Sequence, residues 1–229
     1  MFKMLCGIGN GLAETRFQPG DLPGLGEAIG SLTTVGAGTL TGALIAGGII
    51  NRTGPVGAFI DTPATASQIL TALGIGSVSG QGGGLGDATP GATFRLMYRN
   101  TVAFAMTFQT GIEGLEYGSN LDVAASLVRE YLVTLKNLTP RASISSGTTN
   151  AGFAITFDTA QPMGSVTPGM AVTGTGIGAA AVVVGVTNNG AGTLSGATVS
   201  VASTATAASG VAVLFSPVVR FDGLRSATL

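Results

Sequence analysis

The feature that most restricts this chain is a long stretch without charge: no charged side chain lies between Asp158 and Arg220. Short segments rich in valine, alanine and threonine follow one another there, separated by turn formers such as Asn188-Asn189-Gly190. Strand-sized segments at a spacing of about 8–12 residues are typical of small sandwiches and barrels. The pattern predicts a second, small, charge-free β-domain at residues 145–216. A C-terminal tail at residues 217–229 is expected to return to the first domain.

Charge is scarce in the whole chain. The 229 residues include 10 Lys and Arg and 11 Asp and Glu, which is 9% of the sequence, against about 25% in ordinary soluble domains. With so few ionised groups, Ser, Thr and Asn must supply the polarity of the surface or partners must cover it, and we expect both. The sequence favours a subunit of an assembly. A free, neutral, threonine-coated β-domain stays open as the alternative.

The composition excludes several classes of function. The chain has no histidine, so it holds no Ser-His-Asp triad, no Cys-His dyad and no histidine-ligated metal. Its single cysteine, Cys6, excludes internal disulfides and cysteine-rich zinc sites. A net charge of −1 argues against a nucleic-acid-binding surface, which needs a basic stripe. We expect no catalytic, cofactor-binding or metal-binding residues, and no nucleic-acid partner.

The N-terminal part of the chain is interrupted by Gly and Pro throughout. Residues 1–35 therefore predict an extended arm, with one helical turn around Gly26–Leu32, that reaches a neighbouring subunit. Glycines break the apolar run near the N-terminus, which makes it a poor signal peptide. The uncharged residues 28–51 are diluted by Gly and Thr, so buried β-structure is favoured over a membrane-spanning helix. We expect no membrane partner.

The segment that follows the arm has clear local signals. Thr39–Asn51 predicts a strand. The next residues predict a helix over about Pro63–Leu73, with Asp61 or Thr62 as its cap and Gly74 as its end.

Alternating patterns predict the core of the main domain. Ala92–Arg99 and Val102–Phe108 place large apolar side chains at every second residue, with Asn100-Thr101 between them, which predicts a β-hairpin. Leu127–Leu138 is rich in β-forming residues and predicts a further strand. No tandem repeat is evident. We therefore predict an all-β fold, with a β-sandwich or barrel-like main domain at residues 36–144 that contains one short helix.

Acidic residues offer one candidate for chemistry. Glu113 and Glu116 lie three apart, and Asp122 follows them. Two carboxylates in different environments can hydrolyse a glycosidic bond. The same segment is also typical of an exposed turn between strands, and no tryptophan is present to stack on a sugar. We favour the turn and predict that the chain is not an enzyme.

Basic residues and glycines offer weaker candidates. Arg95 and Arg99 share one face of a predicted strand, and Arg129 lies on another strand. They could capture a phosphate, but ion pairs with Glu113, Glu116 or Glu130 are favoured. Four other short motifs lack the context that their chemistry needs and are interpreted as turns or chance matches. They are the glycine fragments Gly7–Gly11 and Gly24–Gly26, and the sequons at Asn51 and Asn137.

Two stretches resemble known proteins. Residues Gly42–Pro140, with RTGP, DTPATASQI and REYLVTL in that order, are similar to virion structural proteins of tailed bacteriophages, especially proteins of the head surface. The stretch TPGMAVTGTGIG followed by GTLSGATVSV resembles a small β-module of phage head, tail and decoration proteins. Gly178-Ala179-Ala180-Ala181 departs from the Pro-Ala-Gly-Thr-like turn that is usual in that module, so this loop is expected to differ.

The resemblance implies a structural role, commonly trimeric, with no catalytic residues. On that basis we expect a capsid decoration (cement) protein that binds the major capsid protein on the outer surface of the virion, as a homotrimer. The faces of Val102–Phe108 and Tyr131–Leu135 are expected to fill the core or the trimer axis. The alternative is a phage tail or fibre component whose second domain binds the host surface.

Overall fold

The computed structural model of the chain describes residues 28–75, 89–149, 152–203 and 208–229. Predictions for residues 1–27, including both glycine fragments, lie outside the described residues. The described elements are β1 (Ala28–Leu32), β2 (Gly38–Leu40), α1 (Gly42–Ala46), β3 (Gly48–Arg52), β4 (Phe59–Pro63), α2 (Ala66–Ala72), β5 (Thr93–Asn100), β6 (Met106–Phe108), β7 (Leu115–Tyr117), β8 (Leu127–Asn137), β9 (Ala142–Thr149), β10 (Gly152–Pro162), β11 (Ala171–Gly174), β12 (Val183–Asn188), β13 (Thr193–Ser203), β14 (Ala208–Ser216) and β15 (Val218–Thr228).

The first half of the chain winds between two sheets. A mixed sheet has the strand order β1-β3-β5-β8-β15-β7, and a parallel sheet has the order β2-β4-β6. The chain passes from β1, β3 and β5 of the mixed sheet to β2, β4 and β6 of the parallel sheet in turn. After β2 and after β4 it returns through a helix. Neighbouring strands from this part of the chain are therefore parallel within each sheet. The winding is a structural repeat that the sequence does not reveal.

This winding corrects the expected strand over Thr39–Asn51. The segment contains β2, the helix α1 and β3. Thr41 caps α1, because its side chain accepts a hydrogen bond from the Leu44 N–H. The chain must move from the parallel sheet back to the mixed sheet at this point, and a single strand cannot make that turn. The protein is mostly β, but it contains parallel strands and two described helices where an all-β fold with one helix is predicted.

The predicted helix exists but starts later than expected. Helix α2 begins at Ala66, and Thr65 caps it in a reciprocal pair of hydrogen bonds with Gln68. Pro63 belongs to β4, and Asp61 points into the core instead of capping the helix. Upstream, the expected helical turn around Gly26–Leu32 is wrong over its described residues, since Ala28–Leu32 forms β1 and pairs with β3.

The predicted hairpin is also wrong. Its first arm is β5, but only Met106–Phe108 of the second arm is a strand, and it pairs with β4 in the parallel sheet. The Asn100 side chain donates hydrogen bonds to the carbonyls of Phe104 and Ala124. These bonds hold a bend where the hairpin turn was expected and leave Phe104 37% exposed. The strand that pairs with β5 in an antiparallel manner is β8.

The alternation of β5 and β8 is confirmed. The core of this half contains Phe94, Leu96 and Tyr98 of β5 against Tyr131, Val133 and Leu135 of β8, all of them buried. Phe108 packs edge-on against Tyr98 and Tyr131. The C-terminal strand β15 returns to the mixed sheet beside β8.

The residues between β8 and β15 form a separate sheet. Its strands are antiparallel in the order β11-β14-β9-β10-β13-β12. A bridge between Ala171 of β11 and Val182, the residue before β12, joins the two edges of this sheet, so we call it the closed sheet. Its interior is filled by a second apolar cluster that includes Phe157 and Phe215. The sheet is inserted between two neighbouring strands of the mixed sheet.

Gly42 marks the tightest contact between the two helices. A Cβ at this position would lie 2.4 Å from the Gln68 carbonyl oxygen of α2. We expect Gly42→Ala to push the helices apart and to lower the free energy of unfolding by about 1–3 kcal/mol, as measured by urea denaturation. Gly57→Ala is the matched control, because nothing lies within 4 Å of a Cβ there. Equal stability of the two variants would contradict this close contact.

Candidate functional site

A fully buried ion pair lies between the mixed and parallel sheets. Arg52 ends β3, Asp61 lies in the middle of β4, and both side chains are 0% exposed. The Arg52 Nε donates to Asp61 Oδ2 at 3.0 Å and Nη2 donates to Oδ1 at 3.2 Å. The Tyr98 hydroxyl donates to Oδ2 at 2.5 Å, and the Gly38 N–H donates to Oδ1 at 2.8 Å. The carboxylate therefore accepts hydrogen bonds from three different strands, β2, β3 and β5.

The rest of the guanidinium is held by backbone. Arg52 Nη1 donates to the carbonyls of Leu32, Thr34 and Thr53 at 3.1, 2.8 and 3.2 Å. Nη2 also donates to the Gly36 carbonyl. The Phe59 ring lies 4.8 Å from the guanidinium carbon, which is a cation–π distance. Every donor of Arg52 is thus satisfied in the interior.

This buried cluster has a structural role. The cluster consists of Arg52, Asp61 and Tyr98, and each of these side chains is fully buried. Both oxygens of the Asp61 carboxylate already accept hydrogen bonds, so a substrate has no access to it. Sequence reasoning missed the cluster, because Arg52 stood in a sequon and Asp61 beside a helix start. The signal available was an arginine and an aspartate inside strand-like apolar segments of a chain with very few charges.

The predicted carboxylate pair is divided between two ion pairs. Glu113 accepts from Arg141 Nε at 2.9 Å, and Glu116 accepts from Lys136 Nζ at 2.7 Å. The segment is only in part the exposed turn that was expected, since Leu115–Tyr117 forms β7 and pairs with β15. Each carboxylate is half-buried and serves a different cation.

Glu113 also joins the closed sheet to the rest of the chain. Its Oε1 accepts from the Ser216 hydroxyl at 2.7 Å, at the end of β14. On the other connection, the Asn137 side chain donates to the Pro168 carbonyl at 3.0 Å, and the Thr139 and Thr167 hydroxyls lie 2.6 Å apart. Both connections between the closed sheet and the mixed sheet are therefore fixed by polar contacts. Arg141, on the connection from β8 to β9, binds the same Glu113.

The predicted arginines have different surroundings. Arg95 pairs with Glu130, one of the three partners that were expected, and Arg225 binds the second oxygen of the same carboxylate at 2.5 Å. No carboxylate among the described residues pairs with Arg99. The Nε of Arg129 is buried without a hydrogen-bond partner. The three arginines are not brought together into one phosphate site.

The closed sheet and its connections expose several large apolar side chains. Its connections and strands expose large side chains at fractions between 37% and 55%. These residues are Phe153, Met163, Val184, Val186 and Val201. Asp158 is the one charged residue in the sequence from Ala142 to Ser216, so charged groups contribute little to the solvation of this surface.

The described residues contain no group of three or more His, Cys, Asp or Glu side chains that could hold a metal ion. No helix among them has the length and apolar character needed to cross a membrane. No family model, curated protein or solved structure matches the chain.

The buried cluster predicts a large loss of stability when it is broken. Asp61→Leu leaves the Arg52 charge buried without its partner, which destabilises a protein by about 3–5 kcal/mol. Urea denaturation followed by circular dichroism measures the loss. Lys136→Met is the matched control: it breaks an ion pair whose side chains are 44% and 34% exposed, so it should change stability by less than about 1 kcal/mol. An equal effect of the two changes would refute the dominance of the buried pair.

The tyrosines predict a loss of stability in alkali. Burial raises the pKa of Tyr117 from 10.0 to about 12, and it also raises the pKa of Tyr98 and Tyr131. The neutral phenols therefore stabilise the fold, fully below about pH 10 and less as the pH rises through the folded-state values.

These are the only tyrosines of the chain, which has no tryptophan, so phenolate absorbance reports them directly. The tyrosines of the folded protein should stay un-ionised at about pH 10. In guanidinium chloride the same tyrosines should titrate with a midpoint near pH 10. A folded-state midpoint near pH 10 would show that the phenols are accessible to water.

Proposed function

We propose that the chain is a structural virion protein of a tailed bacteriophage. In this proposal it is a decoration (cement) protein that binds the lattice of major capsid protein on the outer surface of the head and stabilises it. The resemblance of Gly42–Pro140 and of the TPGMAVTGTGIG stretch to such proteins supports this proposal. The physical support comes from the surface.

The observation that carries the proposal is the exposed apolar surface of the closed sheet. Phe153, Val184 and Val201 are each more than a third exposed, in a part of the chain with one charge. Covering such side chains with a protein partner removes apolar area from water, which favours binding by about 25 cal/mol per Å².

Trimerisation would multiply these contacts. Each subunit needs only a weak patch, because a closed ring of three subunits presents three patches to a lattice of matching symmetry. Once one patch is bound, the other two bind at a high effective concentration. The polar contacts of Glu113 and Asn137 at the connections between the sheets would keep each patch in a fixed place.

The proposal assigns no reaction to the chain. Arg52 and Asp61 are enclosed in the core, and Glu113 and Glu116 are each held by a cation. It includes neither nucleic acid nor a membrane as a partner.

The test measures self-association and head binding of the full chain. Light scattering should give the mass of a trimer, and sedimentation with empty heads that lack the protein should show saturable binding. Val184→Asp places a charge on the exposed surface of the closed sheet and should weaken binding at least tenfold. Val56→Asp is the matched control, since Val56 is also an exposed valine, at 73%, but lies outside that sheet.

Two outcomes would overturn the proposal. A stable monomer that ignores empty heads would exclude a cement role. Binding to purified tails or host cells, with none to heads, would favour the tail or fibre alternative.

A further inference from the structure

One face of the mixed sheet points away from the core and carries a row of apolar side chains. Ile29 of β1 lies opposite Ile49 of β3, which lies opposite Met97 of β5. Ile29 is 60% exposed and Met97 is 39% exposed. The neighbours of Met97 in β5, Leu96 and Tyr98, point to the other face and are buried. We call this row the apolar row.

Basic side chains continue the same face. Arg95 and Arg99 lie two residues on either side of Met97, and Glu130 lies opposite Met97 in the register of β5 and β8. Arg225 lies opposite Glu130 in turn. These three arginines and one glutamate, which we call the arginine patch, have a net charge of +2. The chain as a whole has a net charge of −1, so the patch suits an acidic partner.

The sequence contains a segment of complementary chemistry. Residues 13–27, AETRFQPGDLPGLGE, contain three acidic residues and one arginine, a net charge of −2, together with Phe17, Leu22 and Leu25. The segment ends at the residue before Ala28, where the edge strand β1 begins. Fifteen extended residues reach up to about 50 Å, which is longer than the width of about 24 Å of a six-stranded sheet.

We propose that residues 13–27 of one copy bind the apolar row and the arginine patch of a neighbouring copy. Apolar side chains of the segment cover the row, and its carboxylates face the arginines. The segment joins the edge strand β1 directly at Ala28, so a neighbouring copy beside that edge lies within its reach. The inference rests on the self-association in the proposed function, and it names the contact that joins the subunits.

The test uses disulfide trapping in the full chain. Cys6→Ser removes the single cysteine, and in that background Phe17→Cys and Met97→Cys are made in separate proteins. Mixing the two proteins under mild oxidation should give a disulfide-linked dimer that contains both. Val184→Cys replaces Met97→Cys as the matched control, because Val184 is exposed at 55% on the closed sheet, and it should give several-fold less product.

Charge provides a second measurement. Arg99→Glu breaks no ion pair of the described residues, and in the Met97→Cys protein it should lower the yield with Phe17→Cys several-fold. The difference should shrink at high salt, because salt screens exposed charges.

A further protein carries Phe17→Cys and Met97→Cys in one chain. It is oxidised when dilute, so that any disulfide it forms lies within one copy.

The outcomes separate this inference from the proposed function. A specific mixed dimer supports the contact between copies. A disulfide within one chain, or equal yields with Met97→Cys and Val184→Cys, overturns it. If neither disulfide forms while the protein still forms trimers and binds heads, the contact between copies is wrong and the cement role stands. If the mixed dimer forms and heads are not bound, the contact stands and the cement role fails.

Discussion

The buried ion pair of Arg52 and Asp61 is the constraint on which the winding of the chain depends. Burying two charges is unfavourable unless each is paired and each polar atom is satisfied, and here strands and loops from successive turns supply the partners. The Asp61 carboxylate accepts hydrogen bonds from the Gly38 N–H and the Tyr98 hydroxyl. The Arg52 guanidinium donates to carbonyls of the segment before Gly38. A shift of any one strand by a residue would leave a buried charge without its partner. The pair therefore fixes the register of the mixed sheet against the parallel sheet.

Local patterns in the sequence were sufficient for elements that bury one side. The alternation in Leu127–Leu138 and Ala92–Arg99 predicted β8 and β5, because one face of each strand packs against the core. Helix α2 was predicted from its apolar spacing and its end near Gly74. Parallel winding could not be predicted in this way, since strands such as Gly38–Leu40 are short and their partners are distant in sequence. Helix α1 was missed because Gly42, which permits close packing against α2, disfavours a helix in isolation.

The same distinction holds for the candidate site. The sequence predicted ion pairs of the strand arginines with Glu113, Glu116 or Glu130, and of these the structure contains the pair of Arg95 with Glu130. The contact between Glu113 and Ser216 joins residues 103 positions apart and depends on how the closed sheet is attached, which no local pattern encodes. Burial of Arg52 and Asp61 was equally hidden, because a charged residue is usually predicted to lie at the surface. Contacts that depend on the path of the chain were the ones that sequence reasoning could not reach.

The insertion of the closed sheet has a consequence for how such a chain can change. Asn137 and Val218 lie opposite each other where β8 ends and β15 begins, so these two strands stay paired up to the point of insertion. A tight turn in place of residues 138–217 would keep those two strands paired. The chain thus consists of a parent domain and an inserted domain. The junction between β8 and β15 is a position at which one inserted domain can be exchanged for another.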